Sequence, residues 1–132
     1  MLGELEGEGR FVVGDLEAGV GTLLRLHPGQ ADVVLVVAQP TAKAIEVARR
    51  GLEIASSRAA RVILVANRVD GDADVATIRD GAGWPDGELV AVPDDPEVAR
   101  ADEDGVAPVD AAPESPAVLA LSELAQRLRA AG

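Results

Sequence analysis

Four polar side chains of this sequence each follow an apolar run, a position where such groups can bind a phosphate, a base or a magnesium ion. These residues are Asp15, Gln39, Asn67 and Asp94. If the apolar runs are parallel strands of one sheet, ligands bind beyond the carboxyl ends of those strands. The sequence therefore predicts a ligand site along a single edge of the sheet.

The first of these residues belongs to the stretch "DLEAG", in which Asp15 precedes Gly19 by four positions. A carboxylate at a strand end can bind magnesium directly or through water, and a glycine lets a backbone amide approach a γ-phosphate. This spacing is also frequent by chance, and the alternative is an aspartate that caps the following turn. Asp15 is the candidate catalytic and magnesium-binding residue, and Gly19 is a candidate nucleotide-binding residue.

The other candidate nucleotide-binding residues are Asn67, Arg68, Pro93 and Asp94. An asparagine amide can both donate to and accept from a base, and a proline can place rigid backbone against a flat ligand. Each also has a structural alternative, because asparagine stabilises turns and proline ends strands.

Apolar runs alternate with helical patterns along the chain, which predicts the elements that must position these residues. The predicted strands are Phe11–Val13, the apolar part of "ADVVLVVAQP" (31–40), "RVILVANRVD" (61–70) and "ELVAVPDDP" (88–96). The run at 31–38 is apolar and β-branched, as expected of a strand buried on both faces. Strands alternating with helices predict an α/β fold with an open, mostly parallel sheet of about four strands and flanking helices. One domain spans 1–132, with residues 1–9 as a flexible N-terminus.

Four helices are predicted between and after these strands. The first is capped by Thr41 and buries Ile45, Ala48, Leu52 and Ala55, which recur at helical spacing. A short helix runs from Asp72 or Asp74 to Arg79, and "EVARADEDG" forms at most two turns. Ser115 and Pro116 are a cap and first-turn pair for the last helix, whose predicted core stripe is Val118, Leu121, Ala125 and Leu128.

Composition limits the function classes. The net charge of −11 and the near absence of aromatic residues, Phe11 and Trp84 alone, argue against nucleic-acid binding. The chain has no cysteine and one histidine, His27, so zinc and iron–sulfur sites are not expected. No apolar stretch is long enough to span a membrane, and the acidic N-terminus is unlike a signal peptide. The expected location is the cytoplasm, with no membrane partner.

Five stretches, in this order, resemble the C-terminal two thirds of MinD/ParA-type P-loop ATPases. They are "FVVGDLEAGVGTLLR", "ADVVLVVAQPTAKAIEVARRGLEIA", "RVILVANRV", "VAVPDDPEVARADEDGVAPVD" and "SPAVLALSELAQRL". The sequence is most similar to the branch of accessory ATPases for nickel insertion into carbon monoxide dehydrogenase. The resemblance implies a truncated, three-layer P-loop-NTPase-like fold, with ATP and magnesium as ligands and a dimer that binds ATP between its subunits.

The resemblance also implies individual roles. Asp15 would be the carboxylate near magnesium and the attacking water, and Gly19 would sense the γ-phosphate. Asn67 would contact adenine, with Arg68 where lysine is usual. Pro93 and Asp94 would belong to the loop that closes over the base.

One departure from this family is large: the phosphate loop G-K-G-G-x-G-K-[ST] is absent. Lys43 is the single lysine and lies in "PTAKAIE", while the glycine-rich "GELEGEG" carries three glutamates that would repel a triphosphate. Without the loop, most of the charge stabilisation for phosphoryl transfer is lost, so hydrolysis by this chain alone should be weak or absent. The branch's metal-binding cysteine pair is also missing, so nickel handling does not carry over.

Two functions from different classes follow. The first is a degenerate ATP-binding domain of MinD/ParA type. The second is a non-catalytic interaction module that binds itself or a partner ATPase through an open sheet edge, because an unpaired edge invites another chain. Without the strand of the phosphate loop, either the strands at 11–15 and 31–38 pair directly, or a partner or second copy fills the gap, or the chain is part of a longer protein.

Overall fold

The computed structural model of the chain describes residues 10–16 and 21–130. Gly19 and residues 1–9, predicted to be flexible, lie outside this part. The elements in chain order are α1 (Gly21–Leu24), β1 (Ala31–Ala38), α2 (Ala42–Ala55), β2 (Ala59–Val69), α3 (Asp72–Gly81), β3 (Leu89–Pro93), α4 (Pro96–Glu103), α5 (Pro108–Ala111) and α6 (Pro116–Ala130).

The three strands form one sheet in the order β1-β2-β3, with parallel pairing on both sides of the central β2. The register places Val34 opposite Val62, and Leu64 opposite Leu89. Helices lie on both faces of this open sheet, which confirms the predicted α/β fold class.

The strand predicted at Phe11–Val13 is not present. Residues 10–16 are exposed chain without helix or strand, and Phe11 and Val13 are 64% and 93% exposed. The prediction is wrong because a three-residue apolar run stopped by Gly14 has too few backbone bonds to form a strand without a partner. The described part of the sheet therefore has three strands and not four.

One face of the sheet packs against α2 and α3. Its core contains Ala38 of β1, Leu64 and Ala66 of β2, Ile45, Ala48 and Leu52 of α2, Ile78 of α3, and Ala82 directly after α3. These α2 residues, with Ala55, are the predicted stripe, which is confirmed. The predicted cap is confirmed as well, because the Oγ1 of Thr41 accepts a hydrogen bond from the Ala44 N–H at 3.3 Å.

The opposite face packs against α6. Ile63 and Val65 of β2 and Val90 and Val92 of β3 contact a helix face formed by Ala117, Ala120, Leu124 and Leu128. The predicted α6 stripe is partly wrong, because Val118 is buried but Leu121 and Ala125 are exposed. The helix is rotated from the predicted orientation, with small residues at 117 and 120 that let its backbone approach the sheet closely.

The cover over β1 is incomplete. Val34 and Ala38 are buried on the α2 side, whereas Leu35 and Val37 point to the other face and are 40% and 57% exposed. Helix α6 lies over β2 and β3, so it leaves most of β1 uncovered on that face. The prediction that this strand is buried on both faces is therefore wrong.

Candidate functional site

Three of the four predicted polar residues lie at the same edge of the sheet. Gln39 directly follows β1, Asn67 lies near the carboxyl end of β2, and Asp94 directly follows β3. Parallel pairing places these three chain positions at one end of the sheet. Below, this edge with Gln39, Asn67, Arg68, Pro93 and Asp94 is called the carboxyl rim.

Asp15 does not follow a strand, because the exposed chain at 10–16 has no secondary structure. The reason that the sequence offered for placing Asp15 at the carboxyl rim therefore does not hold. Its catalytic and magnesium-binding role stays a prediction that depends on the family resemblance. Gly19, predicted to act beside it, lies outside the described residues.

A β-bulge shapes the carboxyl rim at the end of the central strand. Asn67 is opposite Val92 and Val69 is opposite Pro93, so Arg68 is the extra residue between them. Arg68 has a φ of 56°, the left-handed conformation, and it is the one non-glycine residue with positive φ in the described part of the chain. This conformation is costly for an arginine, and bulges often redirect a side chain near a functional site.

Two of the predicted site residues contact each other across the rim. The Arg68 Nε donates to the Asp94 Oδ1 at 3.1 Å, and the Asp94 N–H donates to the Val69 carbonyl at 3.0 Å. Both side chains of this ion pair are more than half exposed. A phosphate that approached Arg68 would therefore compete with the Asp94 carboxylate already paired with it.

Asp95, next to Asp94, has a different role. It is buried, its Oδ1 accepts from the Glu97 N–H, and its Oδ2 accepts from the Ala117 N–H, both at 3.0 Å. The Ala117 N–H, and to a lesser extent the Glu97 N–H, lower the pKa of Asp95 against the opposing effect of burial. One carboxylate thus caps the amino ends of α4 and α6 together.

The sequence predicted Ser115 as the cap of the last helix. In the structure the Ala117 N–H donates to the Asp95 carboxylate instead. The dipeptide Asp95–Pro96 is a local signal for the start of α4. Nothing in the sequence marks the second bond, because 22 residues separate its partners.

A second feature missed by the sequence lies toward the opposite end of the sheet. Arg61 of β2 donates through Nε and Nη2 to the two carboxylate oxygens of Glu88 at 2.9 and 2.6 Å. This bidentate pair lowers the pKa of Glu88 and raises the pKa of Arg61. It ties the chain before β3 to the central strand and offers no free group to a ligand.

An open depression lies near the amino ends of β1 and β2, far from the carboxyl rim. It is lined by Leu24, Arg25, Leu26, His27, Pro28, Ser57 and Arg58. The Arg58 guanidinium donates to the carbonyls of Leu26 and Ile54 and to the Ser57 hydroxyl. Because these hydrogen bonds occupy the Arg58 guanidinium, Arg58 is not available to bind an anion in the depression.

Within residues 10–16 and 21–130, no three acidic or histidine side chains lie close enough together to hold a metal ion. No helix in the same part of the chain has the length and apolar character needed to cross a membrane.

The fold and rim define a class: an α/β domain with a three-stranded, open parallel sheet and polar residues at its carboxyl edge. No protein-family model and no curated protein matches the sequence. The resemblance to MinD/ParA-type ATPases therefore stays a hypothesis that depends on the quoted stretches.

Proposed function

We propose that this domain is a non-catalytic interaction module that binds another polypeptide along the free edge of β1. The observation that carries the proposal is an eight-residue strand at the sheet edge, apolar apart from Asp32, with one face that the described helices leave largely uncovered. Such a strand presents a row of unpaired N–H and C=O groups to another chain. Addition of an extended peptide to a sheet edge is a common mode of recognition.

The composition of β1 supports this function. Proteins protect edge strands with prolines, with inward-pointing charges or by keeping the strand short. In β1 the single charged residue is Asp32, near its start, and there is no proline or glycine between Ala31 and Ala38. The exposed Leu35 and Val37 provide apolar contacts that can add to backbone hydrogen bonds in a complex.

Site-specific photocrosslinking tests this function. A photoreactive amino acid at Val37, in the full chain and in the producing cell, should form covalent adducts with one defined polypeptide, identified by mass spectrometry. The matched control is Val109 on α5, which is 59% exposed and therefore as accessible as Val37. Equal adduct yields at the two positions, or none at Val37, would overturn the proposal.

A second candidate function is weak ATP binding at the carboxyl rim, as the family resemblance implies. The observation that favours it is the left-handed bulge at Arg68, a costly conformation beside Asn67 and Asp94. Here Asn67 would read the base, Arg68, Pro93 and Asp94 would surround it, and Asp15 and Gly19 would serve magnesium and the γ-phosphate. Without a phosphate loop, hydrolysis would be weak or absent.

Calorimetric titration with ATP and magnesium tests this second function. Asn67→Ala should reduce the preference for ATP over GTP, and Asp15→Ala should change mainly the magnesium dependence. Asp110→Ala, on the exposed side of α5, is the control for a general loss of negative charge. The absence of binding heat at millimolar ATP would rule out this second function. It would not affect the proposed binding of a polypeptide at the β1 edge.

A further inference from the structure

We infer that the polypeptide bound at the β1 edge is a second copy of this chain, and that each copy contributes its residues 10–16 to β1 of the other. This inference rests on the proposed interaction function and names its partner. We call residues 10–16, "RFVVGDL", the exchange segment.

The first argument is that the same chain exposes two apolar surfaces that could cover each other. The exchange segment exposes Phe11, Val12 and Val13, and the free face of β1 exposes Leu35 and Val37. In this structure the exchange segment does not pair with the β1 of its own chain. Adjacent exposed apolar side chains of this kind mark protein–protein contact sites.

The second argument is the alternation of side chains along an extended strand. In an extended exchange segment Phe11 and Val13 lie on one face and Val12 lies on the other. Added beside β1, Phe11 and Val13 continue the row of Leu35 and Val37, on the side that α6 leaves uncovered. Gly14 then ends the paired stretch, as glycine weakens a strand.

The third argument is charge. Residues 21–68 include β1 and α2, and two of their basic side chains, Arg61 and Arg68, are paired with Glu88 and Asp94. The others still outnumber the acidic ones: Arg25, Lys43, Arg49, Arg50 and Arg58 against Asp32, Glu46 and Glu53. Residues 1–20 have the reverse balance: Glu4, Glu6, Glu8, Asp15 and Glu17 against Arg10. The exchange segment itself carries one charge of each sign, Arg10 and Asp15, so the attraction to the half of the molecule that contains β1 comes from the acidic residues that flank it in the sequence.

The same charge balance disfavours the simplest alternative, the pairing of β1 with β1 of a second copy. That arrangement would place two net positive halves next to each other, at a cost in repulsion. Reciprocal exchange gives two identical contacts related by a two-fold axis, which closes the assembly at a dimer. It also covers both β1 edges, and the new edge that each exchange segment forms is three apolar residues long and ends at Gly14, too short to pair with a further chain.

Mixing of single-cysteine variants tests this arrangement, because the natural chain has no cysteine. Val13→Cys and Val37→Cys are purified separately and mixed, and a short thiol–thiol crosslinker is added. The expected main product is a heterodimer that contains one chain of each variant. Phe11→Cys mixed with Leu35→Cys provides a second pair if one of the first variants folds poorly.

Other products contradict the inference. A crosslinked dimer from Val37→Cys alone would show pairing of β1 with β1. An intramolecular crosslink in the doubly substituted chain, without a heterodimer in the mixture, would show that the segment covers its own β1. No crosslink in either pair, with monomers in sedimentation, would also overturn it, while photocrosslinking at Val37 to a different protein would leave the proposed function standing.

Sedimentation of the unmodified chain gives an independent measurement. Val13→Asp should weaken dimerisation by at least about tenfold, because it places a charge at a buried apolar contact. Val109→Asp, with the same charge change elsewhere on the surface, should change it by less than about twofold. Equal effects of the two variants would contradict the exchange.

Discussion

The two edge strands of the sheet, β1 and β3, differ in length, in cover and in how they end. The five-residue β3 ends at Pro93, which has no N–H to donate, and its Val90 and Val92 are buried under α6. The eight-residue β1 has no proline and leaves Leu35 and Val37 exposed. One edge of the sheet is thus protected by its own chain, and the described residues leave the other edge open.

The protection of β3 comes from elements that follow it in the chain. Asp95, two residues after the end of β3, holds the first turns of α4 and α6 through its two carboxylate oxygens. This places α6 against β3 and the adjacent face of β2. The described helices place no comparable cover over the outer face of β1, so the two edges differ in available cover as well as in strand length and proline content.

The largest expected effect is on the α6 cover itself. Leu124→Ala should lower the free energy of unfolding by about 2–4 kcal/mol, because it opens a cavity where α6 contacts the sheet. Leu121→Ala, on the predicted but exposed stripe, should cost less than about 0.5 kcal/mol. Urea unfolding followed by circular dichroism measures both. Similar costs for the two leucines would mean that the helix is not rotated as described.

The next effect concerns the double cap after β3. Asp95→Ala should cost about 2 kcal/mol at pH 7, since it removes the acceptor of two backbone N–H groups at once. Asp94→Ala is the matched control, because its ion pair with Arg68 is exposed and should contribute less than about 0.5 kcal/mol. Equal losses in urea unfolding would contradict the capping role.

This cap should also make stability depend on pH in a defined direction. The folded-state pKa of Asp95 is lowered, so its contribution is fully present above the unfolded-state pKa of about 3.9. It is lost as pH falls from there through the folded-state pKa. The difference in stability between the natural chain and Asp95→Ala should therefore be constant near neutral pH and shrink below about pH 4. A difference that stays unchanged at low pH would contradict this assignment.

The sequence predicted the strands and helices better than what covers them. The α2 stripe was readable because charged residues, among them Glu46 and Arg49, lie between its members. In α6, apolar residues such as Leu119 and Leu121 point to solvent, so periodicity alone could not select the buried face. In β1, the apolar run from Val33 to Ala38 predicted two buried faces, but burial depends on the presence of a covering helix, which a local pattern does not reveal.

The same limit applies to the candidate site. Parallel topology alone predicted that Gln39, Asn67 and Asp94 share one edge of the sheet, and the structure places all three there. The contact between Arg68 and Asp94 depends on a β-bulge, and no residue type in this part of the sequence predicts that bulge. Asp15 was expected at the rim only because a strand was expected before it, and that strand is absent.

The smallest expected effect concerns that bulge, beside the protected edge. Arg68 has a left-handed backbone that glycine adopts without steric cost. Arg68→Gly and Arg68→Ala both remove the exposed pair with Asp94, so the difference between them reports the backbone alone. Arg68→Gly should be more stable than Arg68→Ala by about 0.5–1 kcal/mol in urea unfolding, after the larger chain entropy of glycine is subtracted. An alanine variant as stable as the glycine variant would mean that the bulge relaxes at no cost. Backbone strain at Arg68 would then no longer support a nucleotide site at the carboxyl rim.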